Sequence, residues 1–337
     1  MEAGESPHLP VREEWLARTS EPALEPEIPV IDAHHHLWDR PGSRYVEEDL
    51  RRDIASGHDI RATVYVQCRS FYRSGGEEAL RPVGEVERIA GIAAERASPE
   101  RARIGAAIVG GADLGLGDRV EPVLEAMIVA AGGRLRGIRN PTAWHADPSV
   151  RSSPVLPPAG LLCDRRFREG VARLAPLGLV LDVWIYQTQL PELRDLASVF
   201  PGTTIVLDHL GGPLCAGRDA ALSAEWRREM RALARLPNVR VKLGGLGMRV
   251  TGYLFHERAA PPSSRELADA WKPWIATCIE LFGPGRCMFE SNFPVDKGMF
   301  GYPLLWNAFK RLTAGFATGE RAALFSGTAG RVYGIRI

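Results

Sequence analysis

The chain has 337 residues, 45% hydrophobic and 25% charged, and its 42 basic against 41 acidic residues leave a net charge of +1. So balanced a charge argues against a nucleic-acid or membrane-surface partner, because there is no long-range field to steer either. No apolar run approaches the roughly 20 residues that a membrane-spanning helix needs.

Met1-Glu2-Ala3-Gly4-Glu5 lacks the basic and apolar regions of a signal peptide. Cys68, Cys163, Cys215, Cys278 and Cys287 are odd in number, scattered, and without a Cys-x-x-Cys. That usage fits reduced thiols in a cytoplasmic protein rather than a disulfide frame or a zinc ribbon. The length suits one large α/β barrel or two ordinary domains.

Residues 1–27 are rich in Glu and Pro, with little apolar periodicity. They are expected to form an N-terminal arm without chemistry. Trp15 and Leu16 would anchor it on the rest of the fold or across the subunit boundary of a homo-oligomer.

Ile28-Pro29-Val30-Ile31-Asp32-Ala33-His34-His35-His36 reads as a buried strand ending in imidazoles. Side chains alternate across a strand, so His34 and His36 share a face and His35 takes the other. Two such histidines can clamp a divalent metal or polarise a substrate.

Tyr45–Ala55 follows as an amphipathic helix, then a second strand at 61–68 ending in Gln67, Cys68 and Arg69. Further helices are expected over 77–97, 120–131, 165–174, 190–200, 221–236, 265–282, 304–312 and 320–333. Further strands are expected at 104–109, 135–139, 179–185, 203–208, 239–243 and 287–290. Between strand four and the next helix, residues 140–162 carry five prolines. So long a loop after a strand is placed to cover the mouth of the fold.

Eight strands alternating with helices imply right-handed crossovers and a parallel sheet. Residues 28–337 are therefore expected to be a single (β/α)8 TIM barrel. A doubly wound sheet is disfavoured, because histidines stand after the first strand where a glycine-rich nucleotide turn would be.

Active sites of such barrels lie at the C-terminal ends of the strands. Placed there by sequence are His34, His36, Gln67, Arg69, Arg139, Trp184, Tyr186, Gln187, His209, Lys242, Asn292 and Asp296. Barrel closure would bring these distant positions to one mouth. Arg69, Arg139 and Lys242 suit an anionic ligand, while Trp184, Tyr186, Tyr72 and Phe293 offer flat apolar surface.

The segment Asp32-Ala33-His34-His35-His36-Leu37-Trp38-Asp39 resembles the first-strand signature of the amidohydrolase superfamily. The branch it is most similar to is the amidohydrolase-2 group of lactonases, hydrolases and non-oxidative decarboxylases. Leu135–Arg139, Val206–Gly212, Val241–Leu243 and Met288–Pro294 fit the same pattern in the same order. The resemblance maps His209 onto the family's sixth-strand histidine, as a metal ligand or a partner of the substrate carbonyl.

It also exposes departures. Many family members carry a strand-eight aspartate that ligates metal and deprotonates water, whereas Asn292 stands here. An amide cannot serve as a base near neutral pH. Asp296 is the favoured replacement carboxylate, with Glu290 as the alternative. Strand five lacks the metal-bridging lysine of two-metal members. The resemblance thus implies one zinc- or manganese-like ion on His34, His36 and His209, with or without a carboxylate, or a metal-free site as in some lactonases.

The leading expectation is hydrolysis of a small carboxylated or hydroxylated lactone, in the manner of the sugar-lactone and 2-pyrone-4,6-dicarboxylate lactonases. Asp296, His209 and Asn292 would be catalytic, with Gln67, Arg69, Arg139, Trp184, Tyr186 and Lys242 binding substrate. The rivals are a metal-dependent decarboxylase on the same scaffold and a barrel that binds a ligand without turning it over.

Overall fold

The computed structural model describes residues 7–95, 102–214 and 220–337. The signal-peptide reading at Met1–Glu5, the C-terminal end of the 77–97 helix and Cys215 fall outside the described residues.

Eight strands form one parallel sheet in sequential order. They are β1 (Val30–His35), β2 (Ile60–Val66), β3 (Arg103–Gly110), β4 (Leu135–Arg139), β5 (Val180–Val183), β6 (Ile205–Leu207), β7 (Val239–Leu243) and β8 (Cys287–Phe289). Closure comes just beyond β8, where Asn292 N donates to the His34 carbonyl at 2.8 Å and His36 N to Phe293 O at 2.7 Å. The result is the expected (β/α)8 TIM barrel, sealed at the histidine cluster.

The helices that follow the strands include α1 (Glu47–Ile54), α2 (Val83–Glu95), α3 (Glu121–Ala130), α4 (Arg165–Val171), α5 (Leu190–Val199), α6 (Ala220–Leu233), α7 (Ser264–Phe282) and α8 (Tyr302–Leu312). Their apolar stripes pack on the outward faces of the strands, giving a large core between the two layers. Ser263 starts α7 with a capping box, its side chain accepting from Glu266 N. The C-terminal 320–333 helix is broken by a π-helical turn at Ala323–Gly327. A short hairpin, Trp38–Arg40 with Ser43–Tyr45, was not anticipated.

Inside the barrel, Ile31, Ala33, Val64, Val66, Val109, Val180, Val206 and Met288 form a second, smaller core. Strand alternation carries the next inward positions of β5 to β8 toward the mouth. These are Asp182, Asp208, Lys242 and Glu290, all fully buried. The layer that prepares the site is therefore ionic. On β1 the register slips between Asp32 and His35, so His34 turns inward even though Ala33 already does.

The described part of the arm lies against the barrel. Trp15 Nε1 donates to Arg258 O at 2.9 Å, Thr19 Oγ1 to Pro261 O at 2.9 Å, and Leu24 N to Asn307 Oδ1 at 2.8 Å. Cys68, Cys163, Cys278 and Cys287 are free thiols. No helix among the described residues is long and apolar enough to cross a membrane.

Candidate active site

His36 Nδ1 lies 2.7 Å from the Val66 carbonyl. A carbonyl only accepts, so Nδ1 carries the proton and Nε2 is a bare lone pair. That lone pair faces His34 Nε2 at 3.2 Å. His35 points the other way, to Thr63 Oγ1 at 2.8 Å. The alternation expected of the three histidines thus holds at this end of β1. Burial is the main reason that His34 falls to about 4 and His35 to about 3, and it also drives His36 well down. All three rings are neutral at physiological pH.

His209 follows β6. Its Nδ1 donates to Glu290 Oε1 at 2.7 Å, and its ring meets the edge of Trp184, centroids 4.8 Å apart. Glu290 Oε2 also lies 3.0 Å from His34 Nδ1, so one carboxylate serves two imidazoles. Burial alone would raise Glu290, but His209 and His34 overcome it and hold the acid at about 2. An imidazole whose Nδ1–H is tied to a carboxylate keeps a basic Nε2.

This approach needs room. Gly245, at φ +70, faces His209 so closely that a Cβ there would sit 2.5 Å from the His209 Cβ. His209 and Asn292 themselves hold left-handed backbone, φ 53 and 54. Each such residue typically costs about 1–3 kcal/mol, a burden that clusters at functional sites.

Asn292 Nδ2 donates to Asp296 Oδ1 at 2.8 Å, and Gly247 N donates to Asp296 Oδ2 at 2.9 Å. Burial dominates and pushes Asp296 up to about 7 despite both bonds. Asp296 is 1% exposed. Asn292 and Val295 line the cavity in front of it. Asp296 therefore reaches the cavity through Asn292.

Gln67, Arg69, Arg139 and Trp184 line the cavity. Arg139 donates to Asp208 Oδ2 at 3.3 Å, meets His34 Nε2 at 3.3 Å, and donates to the Gln67 carbonyl. Arg69, exposed and at φ 65, has no hydrogen-bond or ion-pair partner among the described residues. Two buried acceptors also lack a partner, Gln67 Oε1 and Asn292 Oδ1.

Three expected substrate contacts are relocated. Lys242 does not reach the mouth. Its ammonium is fully buried, bound to Asp182 at 2.6 Å and Asp208 at 3.0 Å, with His34 Nδ1 at 3.2 Å. Alternation indicates which way a side chain points but not how deep it lies, and Lys242 is one layer too low. Tyr186 is 2% exposed and spends its hydroxyl on Ser152 Oγ at 2.7 Å. Trp184 Nε1 donates to the same oxygen at 3.0 Å. Ser152, Pro154 and Pro157 from the 140–162 loop line the cavity, so Tyr186 fastens the loop that covers the mouth. Phe293 is fully buried against Tyr302 instead of lining the cavity.

Asp208, Asp182 and Arg40 were missed. Asp182 was visible as the one charge inside the apolar fifth strand, and Asp208 as the acid directly before His209. Arg40 lines the cavity on the unanticipated hairpin, its guanidinium 4.7 Å from the Trp38 ring centroid. Asp208 is pushed up by burial, but Lys242 and His34 outweigh that and hold it well below the usual range.

The residues fit a divalent ion. Ligand atoms of His34, Asp208 and His209 lie within 4.8 Å of one another. Asp208 Oδ1, which faces the Lys242 ammonium at 3.0 Å, and Glu290 Oε2, which faces His34 Nδ1 at 3.0 Å, are buried beside them. An imidazole–carboxylate donor set suits zinc or manganese. The group keeps His34 and His209 of the expected set and has Asp208 as its carboxylate, while His36 stands beside His34.

An eight-stranded barrel whose C-terminal mouth gathers imidazoles, buried carboxylates and guanidinium groups defines a catalytic TIM barrel. The chain belongs to the amidohydrolase family, whose family model matches residues 31–335, and so to a family of hydrolytic enzymes. The uncharacterized protein y4mH of Sinorhizobium fredii is 30% identical, over 91% of this chain and 99% of its own length. The L-fucono-1,5-lactonase of Burkholderia multivorans is also 30% identical, over 90% of this chain and 96% of its own. A crystal structure of an amidohydrolase from Burkholderia multivorans with bound zinc is similar at TM-score 0.71 and 28% identity, covering 91% of this chain and 99% of that one. Another crystal form of that amidohydrolase holds HEPES.

Proposed function

We propose that the enzyme opens a small lactone ring bearing hydroxyl or carboxylate groups, by attack of water. The carrying observation is His209, held by the buried Glu290, on the wall of a cavity that also presents unpartnered acceptors and a free guanidinium. Buried acceptors without partners are costly until a ligand supplies donors, and ring hydroxyls are such donors for Gln67 Oε1 and Asn292 Oδ1. Arg69 suits a carboxylate. The 30% identity to a sugar lactonase supports the same reading.

In the metal-free form, His209 Nε2 takes the proton of the attacking water, and Glu290 stabilises the imidazolium that forms. Arg139 offers N–H groups to the carbonyl oxygen, whose charge grows in the transition state. The imidazolium then returns its proton to the departing ring oxygen, giving a hydroxy acid. Asn292 orients the water or a ring hydroxyl through Oδ1, because Asp296 holds its amide nitrogen. A divalent ion bound by His34, Asp208 and His209 would polarise the carbonyl, and Asp296 would position the attacking water through Asn292.

The test is a panel of aldono-1,4- and 1,5-lactones together with 2-pyrone-4,6-dicarboxylate, read by acid release, with carbon dioxide release from hydroxybenzoates measured alongside. Ring opening supports the reading. Carbon dioxide release without ring opening would replace it with the decarboxylase, and binding without turnover would replace it with a ligand-binding barrel.

A further inference from the structure

The N-terminal arm is not remote from this cavity. His8 lines it together with His36, Arg139 and His209. The His8 ring stacks on Trp38, centroids 5.8 Å apart and planes 16° from parallel. Trp38 in turn stacks on His36, at 6.2 Å and 25°. Three flat rings thus form a column from the arm to the histidine cluster. Burial, helped by Arg40, lowers His8 to about 4, so its ring is neutral.

The arm is fixed in place on the C-terminal side of this contact. Leu9 lies over Gly298 so closely that any Cβ there would collide with it. Lys297, the next residue back, pairs with Glu13 at 3.1 Å. Arg12 Nη2 donates to His256 O at 2.5 Å, just before the Trp15 anchor. Pro7, His8 and Leu9 also meet Ser152 of the covering loop and Met248 beyond β7 across a small crevice. Arm and loop therefore close the mouth together.

We infer that residues 7–9 are a built wall of the substrate cavity, and that His8 is a specificity-determining residue that contacts a substituent of the bound ring and limits the site to single-ring substrates. The substrate class rests on the lactone reading above; the wall does not.

Two variants in the full chain test it, each checked for an unchanged melting transition. His8→Ala is expected to raise KM for the best lactone about tenfold, the scale of one lost polar contact, while kcat stays within about threefold. His8→Gly combined with Leu9→Gly is expected to gain activity on lactobiono-1,5-lactone, a ring carrying a second sugar, by at least about tenfold relative to the single-ring substrate. An unchanged KM and an unchanged preference would overturn the inference.

If the unaltered enzyme opens no lactone, the lactone reading fails and the wall is decided without a substrate. Val155→Cys places a thiol on the loop side of the cavity, and its labelling by iodoacetamide is compared with labelling by a bulky fluorescein maleimide. Removing the His8 and Leu9 side chains should favour the bulky reagent at least about fivefold if the arm restricts entry. An unchanged ratio would refute the wall.

Discussion

Asn292 donates from its amide nitrogen to Asp296 Oδ1 at 2.8 Å, one helical turn further along the chain. The strand-eight position thus carries an amide that is held by a carboxylate, and the carboxylate's own titration decides how the amide is held. Burial places Asp296 at about 7. Its ionised form is the better acceptor for Asn292, so kcat/KM should rise through about pH 7 and level off above it. Asn292→Asp sets a second carboxylate beside the first, and like charges raise the upper apparent value of the pair. The rising limb should move up by about one pH unit or more in a pH–rate profile. A limb that stays in place would separate Asp296 from the reaction.

Glu290→Gln should leave the fold intact and still disable the site. The amide is isosteric, but it cannot fix His209 Nδ1–H and accept from His34 as the carboxylate does. General-base assistance is worth about 10²–10⁴ in rate, so steady-state kinetics should show kcat falling by about 10² or more while KM changes little. A KM effect with kcat preserved would place Glu290 in binding.

Lys242 should reveal itself in stability. Lys242→Met leaves Asp182 and Asp208 facing each other without their shared cation. Removing one partner of a buried ion cluster typically costs about 3–5 kcal/mol. Urea unfolding should show a loss of that size, and adding Asp182→Asn should recover part of it, because the pair is coupled. A loss confined to KM would restore Lys242 as a substrate contact.

Arg69→Gly separates binding from folding. The side chain has no partner to lose among the described residues, and glycine is at ease at φ 65. KM for a carboxylated lactone should rise about tenfold if Arg69 binds the carboxylate. The melting temperature should hold or increase. An unchanged KM for carboxylated and neutral lactones alike would remove Arg69 from the site.

The barrel was legible because fully buried parallel strands read as near-continuous apolar runs, as in Leu179–Ile185 and Ile205–Leu207. The His34/His36 pair and His209 were legible because histidines that end separate strands of one barrel converge at its mouth. Depth was not legible. Lys242, Asp182, Asp208 and Glu290 all point inward by alternation, but only the closed barrel shows that they form one layer beneath the histidines. Glu290 was weighed only as a base, and the structure makes it the support of His209. His8 was hidden for another reason. An arm residue reaches a site assembled from strands far along the chain only by tertiary docking, through Leu9 on Gly298 and Trp15 on Arg258, which no local pattern announces.

The most direct test of the account is a pH-stat measurement of lactone opening by the unaltered enzyme, His209→Asn and Glu290→Gln, with metal content determined on the same samples. The account predicts opening far above the spontaneous rate for at least one aldonolactone, abolished by His209→Asn and reduced about 10²-fold or more by Glu290→Gln. Folded enzyme that opens none of the lactones, or opens them equally well without His209, would contradict it.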